Sequence, residues 1–509
     1  MSQKTTRRDF IQTTTALGAA WWVSGAPRAF AKEPSPLERV RYGCIGVGGK
    51  GRSDSADAGQ HGDVVAICDI DENNLDKASK KFKKAETFID YRELIDKMGD
   101  KIDAVTVSTP DHNHAPASAM AMRSGKACFT QKPLTHSVYE ARKLAEIAKE
   151  TGVPTMMGNQ GTATSGLRKA AAIIKAGGLG TVKEVHVFTN RPVWKQGVER
   201  PEATPVPEYV HWDLWLGPAP ERPYSDGFYH PFAWRGWWDF GTGALGDMAC
   251  HTVNMPFMGL DLRNPTTIQA ESSGHNRDSY PQQSKIVFEF PANGDRPALP
   301  MIWYDGGYKP DPALLLGEEF KHDSGSIIVG DKGTLYSHGD YGEHWMLLPT
   351  GEVSEPEVEF EESPGHFTEF HQAITGERKE ATSNFANYAG PLTETILLGN
   401  LAVWADGKKI EWDSENLKAT NASEVEQDFQ QSPRDGPLPI PRHFCAPVLP
   451  GKSFQDAVGI WSDCSKQFQF WPPPPGIIFW MRRPQLRMMG VSLPGRTRPS
   501  KNSRSRVLF

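Results

Sequence analysis

Short apolar runs alternate with amphipathic stretches over the first third of the chain. Runs such as VVAICD, AVTVST and ACFTQK are separated by stretches with helical spacing, including NNLDKASKKFK and SVYEARKLAEIAKETG. Strands that alternate with helices are typical of a parallel, doubly wound sheet with helices on both faces. The pattern therefore predicts an α/β domain over residues 38–160.

The pattern changes after residue 160. Short connections join the apolar runs KEVHVFTN, TTIQAES, KIVFEF, PMIWYDGG, SIIVGD and GTLYSHG, and a hairpin turn is expected at 331–333. These runs predict an α+β domain over residues 161–430 with a large, mostly antiparallel, open-faced sheet. Helices are expected at about 164–177, 244–258, 364–375 and 385–404, on one face of that sheet. The wide apolar face that remains favours a homo-oligomer, and a cleft is expected between the two domains.

A glycine-rich turn follows the first strand. The segment GVGGKG lies between the apolar run YGCI and a helix of small residues. Gly46, Gly48, Gly49 and Gly51 permit the tight turn, the approach of a pyrophosphate and close packing of helix on sheet. The amino terminus of the helix then faces the phosphates. The context predicts a Rossmann domain that binds a nicotinamide dinucleotide.

An acidic residue closes the second strand of this unit. Asp69 ends VVAICD, at the distance from the turn where a carboxylate accepts hydrogen bonds from the adenosine ribose. A carboxylate there repels a 2′-phosphate, so the sequence favours NAD over NADP as the cofactor.

The composition limits the classes of ligand that the chain is expected to bind. The chain has 509 residues, of which 38% are hydrophobic and 23% charged, as expected for a soluble globular protein. Its net charge of −6 argues against nucleic acid as a partner. Cys44, Cys68, Cys128 and Cys250 fall in predicted strands or a helix and are expected to be small buried side chains. Because no CxxC motif or histidine-rich cluster occurs, we expect no metal site.

The amino-terminal segment has the features of an export signal. TRRDFI at 6–11 matches the twin-arginine pattern, a weakly apolar stretch follows, and AFA at 29–31 is a small-x-small cleavage site. Residues 1–31 are therefore predicted to be a signal peptide that directs the chain to the periplasm or outside the cell. The apolar run is short for a stable membrane span, and retention as an anchor is the alternative.

The carboxyl-terminal segment differs abruptly from the rest of the chain. Residues 433–509 hold 12 Lys and Arg, three Asp and no Glu, and they are rich in proline. This irregular Pro/Arg-rich tail shows no helical or strand period and is not expected to build a core. We interpret it as the product of a reading-frame slip near residue 431; a basic recognition tail is the alternative.

Two places hold candidates for acid–base chemistry. Lys132 follows ACFTQ at the carboxyl end of a parallel strand, where such sheets present ligands, and Pro133 restricts the backbone after it. Asp247 and His251 are four residues apart and so share one face of a predicted helix. A carboxylate beside an imidazole can fix its tautomer, which suits a base that removes a hydroxyl proton. From the residues alone, a solvated lysine, a helix-terminal acid and a structural histidine are the more common interpretations.

Aromatic side chains are concentrated between these candidates. Flat rings with adjacent polar groups suit the faces and hydroxyls of a pyranose, although large aromatics are more often ordinary core. Arg235 and Asp239 are interleaved with the rings. The rings are Trp212, Trp215, Tyr224, Phe228, Tyr229, Trp234, Trp237 and Trp238.

In order along the chain, GVGGKG, CDID, STPDHNH, QKP, GNQ and GDMACH resemble the glucose-fructose oxidoreductase and inositol dehydrogenase family, often called Gfo/Idh/MocA. The resemblance covers residues 38–430 and is strongest to exported members. It implies that Lys132, Asp247 and His251 form the catalytic group. At Gln131 this chain departs from the glutamate usual in the family.

The resemblance also implies which residues bind the ligands. Cofactor contacts are expected from the four glycines, Asp69, Ser108, Thr109, Pro110, Asp111, His114, Gln131, Lys132 and Asn159. Substrate contacts are expected from Gln160, Trp234, Arg235 and Trp238.

The function implied is NAD-dependent hydride transfer between nicotinamide and a secondary alcohol of a sugar or cyclitol. His251 would take the hydroxyl proton, Lys132 would stabilise the alkoxide, and Asp247 would orient the imidazole or hold a neighbouring hydroxyl. Since free NAD is not expected outside the cytoplasm, an exported enzyme should hold the cofactor tightly. Two alternatives are an NAD-assisted glycoside hydrolase that uses a transient oxidation and a non-catalytic carbohydrate-binding protein on the same fold.

Overall fold

The computed structural model describes residues 39–423 and 425. The predicted signal peptide at 1–31 and the tail at 433–509 lie outside the described residues. Within the described part of the chain, no helix combines the length and apolar character needed to span a bilayer.

The first sheet has six parallel strands in the order β3-β2-β1-β4-β5-β6. Its strands are β1 (Val40–Ile45), β2 (Gly62–Cys68), β3 (Glu86–Phe88), β4 (Ala104–Val107), β5 (Ala127–Thr130) and β6 (Thr155–Met157). The connecting helices are α1 (Gly51–His61), α2 (Glu72–Lys81), α3 (Tyr91–Met98), α4 (His114–Arg123) and α5 (Val138–Thr151). The predicted doubly wound parallel sheet is confirmed. Its strand order changes direction beside β1, where the glycine turn begins.

The second sheet has nine strands in the order β13-β12-β11-β7-β10-β9-β8-β14-β15. They are β7 (Val182–Phe188), β8 (Thr267–Ser272), β9 (Ser284–Phe290), β10 (Leu299–Tyr304), β11 (Gly325–Gly330), β12 (Thr334–His338), β13 (His344–Leu348), β14 (Ile410–Asp413) and β15 (Lys418–Ala419). All neighbouring strands are antiparallel except β7 and β10, which are parallel. The mostly antiparallel sheet is thus confirmed, with three strands, β13 to β15, that the sequence pattern did not reveal.

The helices of the second half of the chain are α6 (Ser165–Lys175), α7 (Trp212–Leu216), α8 (Gly243–Thr252), α9 (Asn254–Leu260), α10 (His366–Thr375) and α11 (Gly390–Trp404). Of these, α6, α8 and α11 contact strands of the second sheet. The helix expected at 364–375 on a face of this sheet, α10, packs instead against α1 and β6 of the first domain, so that part of the prediction is wrong. The single helix expected at 244–258 is two consecutive helices, α8 and α9. A π-helical turn, Phe385–Ala389, leads into α11.

The helix α11 brings the two halves of the candidate site together. It is mainly apolar, and its residues from Leu392 to Val403 are all buried. It packs against α5 of the first domain and against α8, β8 and β9 of the second. Since α5 follows the strand that precedes Lys132, and α8 carries Asp247 and His251, this packing sets the lysine and the helix face against each other.

The other face of the second sheet carries its own apolar cluster. Phe188, Ile327, Tyr336 and Leu348 are buried there together with Leu315, which belongs to the short 3₁₀ turn Pro312–Leu315. The chain thus covers part of this face with its own segment. The expected homo-oligomer stays a prediction.

The cysteines are buried as expected. Cys44, Cys68 and Cys128 lie in β1, β2 and β5, and Cys250 lies in α8. All four are buried free thiols. Their interpretation as small core side chains is confirmed.

Candidate active site

The glycine turn between β1 and α1 has the shape that a dinucleotide requires. A Cβ on Gly46, whose φ is +75°, would lie 2.6 Å from the carbonyl oxygen of Ser108, and one on Gly51 would collide with the carbonyl oxygen of Gly46. By contrast, a Cβ on Gly49 would meet nothing within 4 Å. The turn is therefore tight toward the sheet and open on its outer side. This combination fits the approach of a pyrophosphate to backbone N–H groups.

A cavity of about 1570 Å³ runs from this turn to the second domain. Three of the four predicted glycines line it, together with Asp69, Ser108, Thr109, Pro110, Asp111, Gln131 and Lys132. Trp234, Arg235 and Trp238 line it from the other domain. Most of the predicted cofactor residues and three of the four predicted substrate residues thus face one space.

Asp69 is bonded to the turn itself. Its Oδ2 accepts from the backbone N–H groups of Val47 and Gly48 at 2.9 and 3.0 Å, and its Oδ1 accepts from that of Asp71 at 2.9 Å. Burial raises the pKa of Asp69, and these N–H groups counter part of that effect. Because each carboxylate oxygen has two acceptor positions, Oδ1 keeps one for a ribose hydroxyl.

Replacing Asp69 with alanine should weaken NAD binding by about 10- to 100-fold, since hydrogen bonds to a charged group each contribute roughly 1.5–3 kcal/mol. Isothermal titration calorimetry with NAD measures the change. Asp63→Ala is the matched control, because the Asp63 carboxylate forms only an exposed ion pair, 3.0 Å from Arg39 Nε. Unchanged affinity in Asp69→Ala would show that the carboxylate contributes nothing to the dinucleotide site.

Lys132 meets Asp247 at the far end of the cavity. The ammonium donates to Asp247 Oδ1 at 2.8 Å and to the Asp247 backbone carbonyl at 2.7 Å. Arg235 donates from Nε to the same Oδ1 at 3.2 Å. Burial alone would raise the pKa of Asp247, but the two cations outweigh it and hold that pKa well below its ordinary range. Asp247 is therefore ionised, and the group of three carries a net positive charge.

This positive group faces the cavity. Lys132 and Arg235 line the cavity, whereas Asp247 lies behind them. The Arg235 guanidinium stacks on Trp234 at 4.2 Å and on Phe232 at 4.6 Å from the ring centroids. A developing alkoxide or another anionic oxygen would be stabilised here.

Asn159, rather than Asp247, orients the imidazole of His251. The Asn159 amide nitrogen donates to the Cys250 carbonyl at 2.6 Å, which leaves its oxygen 2.9 Å from His251 Nδ1. His251 Nδ1 must therefore carry the proton, and Nε2 keeps its lone pair. Burial and then the nearby Lys132 ammonium lower the pKa of His251 well below its ordinary value. The prediction that Asp247 fixes the tautomer is wrong, because its carboxylate is bound to Lys132 and Arg235.

Tyr341 covers His251. The tyrosine lies in the turn between β12 and β13, and its ring meets the imidazole edge-on at 4.9 Å between centroids. His251 is only 4% exposed, whereas Tyr341 is 43% exposed. Asp340 beside it pairs with Arg191 at 3.7 Å. The imidazole therefore lies behind the cavity wall, with this ring between it and solvent.

Three predicted ligand contacts have other positions. His114 is buried, and its ring lies between the carbonyl oxygens of Pro133 and Thr109, at 2.8 Å from each. It joins the loops after β4 and β5 instead of facing the cavity. Asn159 is fully buried against His251 and α8, and Gln160 begins a 3₁₀ turn outside the cavity lining. The predictions that His114 and Asn159 contact the cofactor and that Gln160 contacts the substrate are therefore wrong for this structure.

Asp111 is another carboxyl group that lines the cavity. It is buried, and its Oδ2 accepts from the Thr242 hydroxyl at 2.7 Å. Burial raises the pKa of Asp111 to about 6, despite the neighbouring Arg235 and Lys132. It can therefore hold a proton under mildly acidic conditions.

Most of the aromatic stretch is core. Trp215, Tyr229, Trp237 and Phe240 are buried in one cluster, with the Arg222 guanidinium 5.2–5.6 Å from three of their ring centroids. Trp234 belongs to the same cluster, whereas Trp238 belongs to the main core cluster. Both rings line the cavity, as does Trp215. The expected sugar platform is thus restricted to these three rings.

Sequence reasoning missed Tyr341 and Asp54. No sequence pattern pointed to Tyr341 as a site residue, apart from the nearby Gly339 and Gly342, which are typical of a turn. Asp54 lies four residues after Lys50 and forms an ion pair with it, a spacing that could have been recognised on the predicted helix. Among the described residues, no cluster of three or more His, Cys, Asp or Glu side chains is arranged to hold a metal ion.

A Rossmann domain that has an open glycine turn and carries Lys132 at the end of β5, joined to a second domain whose Asp247 carboxylate binds that lysine beside the same cavity, defines a dinucleotide-dependent oxidoreductase. Two family models match the chain: "Oxidoreductase family, NAD-binding Rossmann fold" over residues 40–159, and "Oxidoreductase family, C-terminal alpha/beta domain" over residues 168–437. The chain belongs to this Gfo/Idh/MocA oxidoreductase family, and its cofactor is NAD.

Curated relatives share shorter segments. A glycosyl hydrolase family 109 protein of Shewanella sp. (strain ANA-3) is 35% identical over 133 residues, 24% of this chain and 28% of that protein. An inositol 2-dehydrogenase of Rubrobacter xylanophilus is 30% identical over 125 residues, 23% of this chain and 33% of that protein. The chain thus spans about a third or less of the length of these two relatives. A scyllo-inositol 2-dehydrogenase (NAD(+)) of Bacillus subtilis is 23% identical over 300 residues, 58% of this chain and 71% of that protein.

A solved structure shares the fold. The WlbA dehydrogenase from Bordetella pertussis, crystallised with NADH and UDP-GlcNAcA, has a TM-score of 0.53 and 17% identity, covering 74% of this chain and 99% of that one. At this identity the likeness establishes the fold alone.

Proposed function

We propose that this oxidoreductase reversibly oxidises a secondary alcohol of a sugar or cyclitol. The observation that carries the proposal is the Lys132 ammonium, which lines the cavity and is held by both the carboxylate and the backbone carbonyl of Asp247. Relatives named as inositol dehydrogenases support this substrate class. Rings of Trp234 and Trp238 in the same cavity suit the faces of such a ring.

The cofactor residues present fit NAD. The open side of the glycine turn would hold the pyrophosphate, and Asp69 would hold the adenosine ribose. Ser108, Thr109 and Gln131 line the cavity between the turn and Lys132. Bound there, NAD supplies the acceptor for the hydride that leaves the carbon of the alcohol.

The protein groups act on the oxygen and its proton. Lys132 donates a hydrogen bond to the substrate oxygen and stabilises negative charge as the proton leaves. Asp247 fixes the direction of the lysine through its carboxylate and its backbone carbonyl. His251 accepts the hydroxyl proton at Nε2, since Asn159 holds the other nitrogen protonated. Because His251 does not line the cavity, this step requires the substrate or the surrounding side chains, including the Tyr341 ring that contacts the imidazole, to move.

A second candidate function is glycosidic cleavage assisted by a transient oxidation. The observation that favours it is the 35% identical segment shared with glycosyl hydrolase family 109 proteins. The same lysine and imidazole would act on the same kind of hydroxyl, and no cofactor would be consumed overall.

Export is part of the proposal. The twin-arginine pattern and cleavage site within residues 1–31 support a periplasmic or external location. A protein that folds around its cofactor before export would carry NAD with it. Tight retention would then replace supply from a free pool.

Assays with purified protein separate the two candidates. With free sugars and cyclitols, we expect the nicotinamide absorbance to change for at least one substrate, and no change with its fully O-methylated analogue. With aryl glycosides and no added NAD, a hydrolase releases aglycone, whereas a simple dehydrogenase does not. If neither signal appears in protein that binds NAD, the non-catalytic alternative is favoured instead.

A further inference from the structure

A buried carboxylate lies beneath the glycine turn. Asp54, in the first turn of α1, is 2% exposed. Its Oδ1 accepts from Lys50 Nζ at 2.6 Å, and its Oδ2 accepts from Ser108 Oγ at 2.7 Å and from Gln131 Nε2 at 2.9 Å. Its three partners line the cavity, but Asp54 does not. One carboxylate thus joins the turn and the ends of β4 and β5.

The carboxylate determines which way the Gln131 amide points. An ionised carboxylate only accepts hydrogen bonds, so the amide nitrogen must face Asp54. The amide also lies flat on Gly158, where a Cβ would be 2.5 Å from Nε2. Its oxygen is the acceptor for the Lys132 backbone N–H, at 3.4 Å. A flipped amide would place oxygen against oxygen at Asp54.

We propose that Asp54 is a positioning residue for NAD. It fixes the Gln131 amide so that its oxygen accepts a hydrogen bond from the nicotinamide riboside, and it holds the Lys50 ammonium beside the turn that receives the pyrophosphate. Asp54 and Gln131 are mutually dependent. A glutamate at 131 would bring a second carboxylate within hydrogen-bond distance of the first, with no donor between them.

The test exchanges the carboxylate at position 54 and the amide at position 131. Each variant is prepared as the full chain, freed of cofactor and titrated with NAD. Gln131→Glu should raise the Kd for NAD by about tenfold or more, from the loss of a charged hydrogen bond and the added repulsion. Asp54→Asn alone should also weaken binding. In the double variant the amide at 54 donates to the carboxylate at 131, so the Kd should return to within about threefold of wild type. Asp57→Asn, one turn along the same helix, is the matched control and should bind NAD normally.

Two outcomes would overturn the proposal. One is wild-type affinity for NAD in Gln131→Glu, and the other is a double variant that binds NAD as weakly as Gln131→Glu alone. A purely structural role for Asp54 would lower the melting temperature of the cofactor-free protein without this reciprocal rescue of Kd. If Gln131→Glu does not fold, Gln131→Met removes the amide without adding charge, and wild-type affinity in that variant would equally refute the role. Since no substrate is present, the result is independent of the proposed alcohol oxidation.

Discussion

Replacing Lys132 with methionine should lower kcat by roughly 10²- to 10³-fold, the range observed when one preorganised donor to a developing oxyanion is removed. The methionine keeps most of the volume and removes the ammonium that binds Asp247 at 2.8 Å. The Kd for NAD should change far less, because the glycine turn and Asp69 lie at the other end of the cavity. Steady-state kinetics on a sugar or cyclitol that gives the nicotinamide absorbance change, together with NAD titration, measure both quantities.

Lys97→Met provides a matched control for this substitution. Lys97 also donates to a carboxylate at 2.8 Å, that of Glu93, but the pair lies on the surface of α3 with both side chains about 60% exposed. The control variant should retain wild-type kcat. If Lys132→Met is as active as the wild type, the lysine has no part in the mechanism. If NAD affinity falls as far as kcat does, the lysine acts by binding the cofactor instead.

The parts of the fold that sequence predicted best are those where one short pattern determines one element. The glycine turn, the strands around it and the helix after it all follow from local spacing, because each requires specific residues at fixed intervals. The helix face shared by Asp247 and His251 is likewise a local property. The strands β13 and β14 were missed because HWMLL and IEWD are too short to show a clear period.

The hydrogen-bond partners of the site residues could not be predicted from the sequence. Asp247 bonds to Lys132 and Arg235, not to His251 four residues away, because packing of α11 between the domains brings the end of β5 to α8. The partner of His251 is Asn159, 92 positions earlier in the sequence. The partner of Gln131 is Asp54, 77 positions earlier. Such pairs depend on the tertiary arrangement, which hydrophobic periodicity does not encode.

Replacing His251 with asparagine should lower kcat by about 10²- to 10⁴-fold, the contribution typical of a general base. The asparagine amide nitrogen can occupy the place of Nδ1 and still donate to Asn159, so the variant removes Nε2 while it preserves the local hydrogen bond. His344→Asn is the matched control, since this histidine lies exposed on β13. NAD affinity should be unchanged in both variants.

The pH dependence gives an independent test of the same role. A base must be neutral to accept a proton, and burial together with Lys132 lowers the pKa of His251. The imidazole therefore stays neutral as the pH falls through the ordinary histidine range, and the acid limb of kcat/KM in the wild type should lie below about pH 6.5. Asn159→Leu removes the acceptor that fixes the tautomer, so it should lower kcat at every pH. An acid limb near 6.5 in the wild type, or full activity in His251→Asn, would assign the proton transfer to another group, and the buried Asp111 carboxyl that lines the cavity is one candidate.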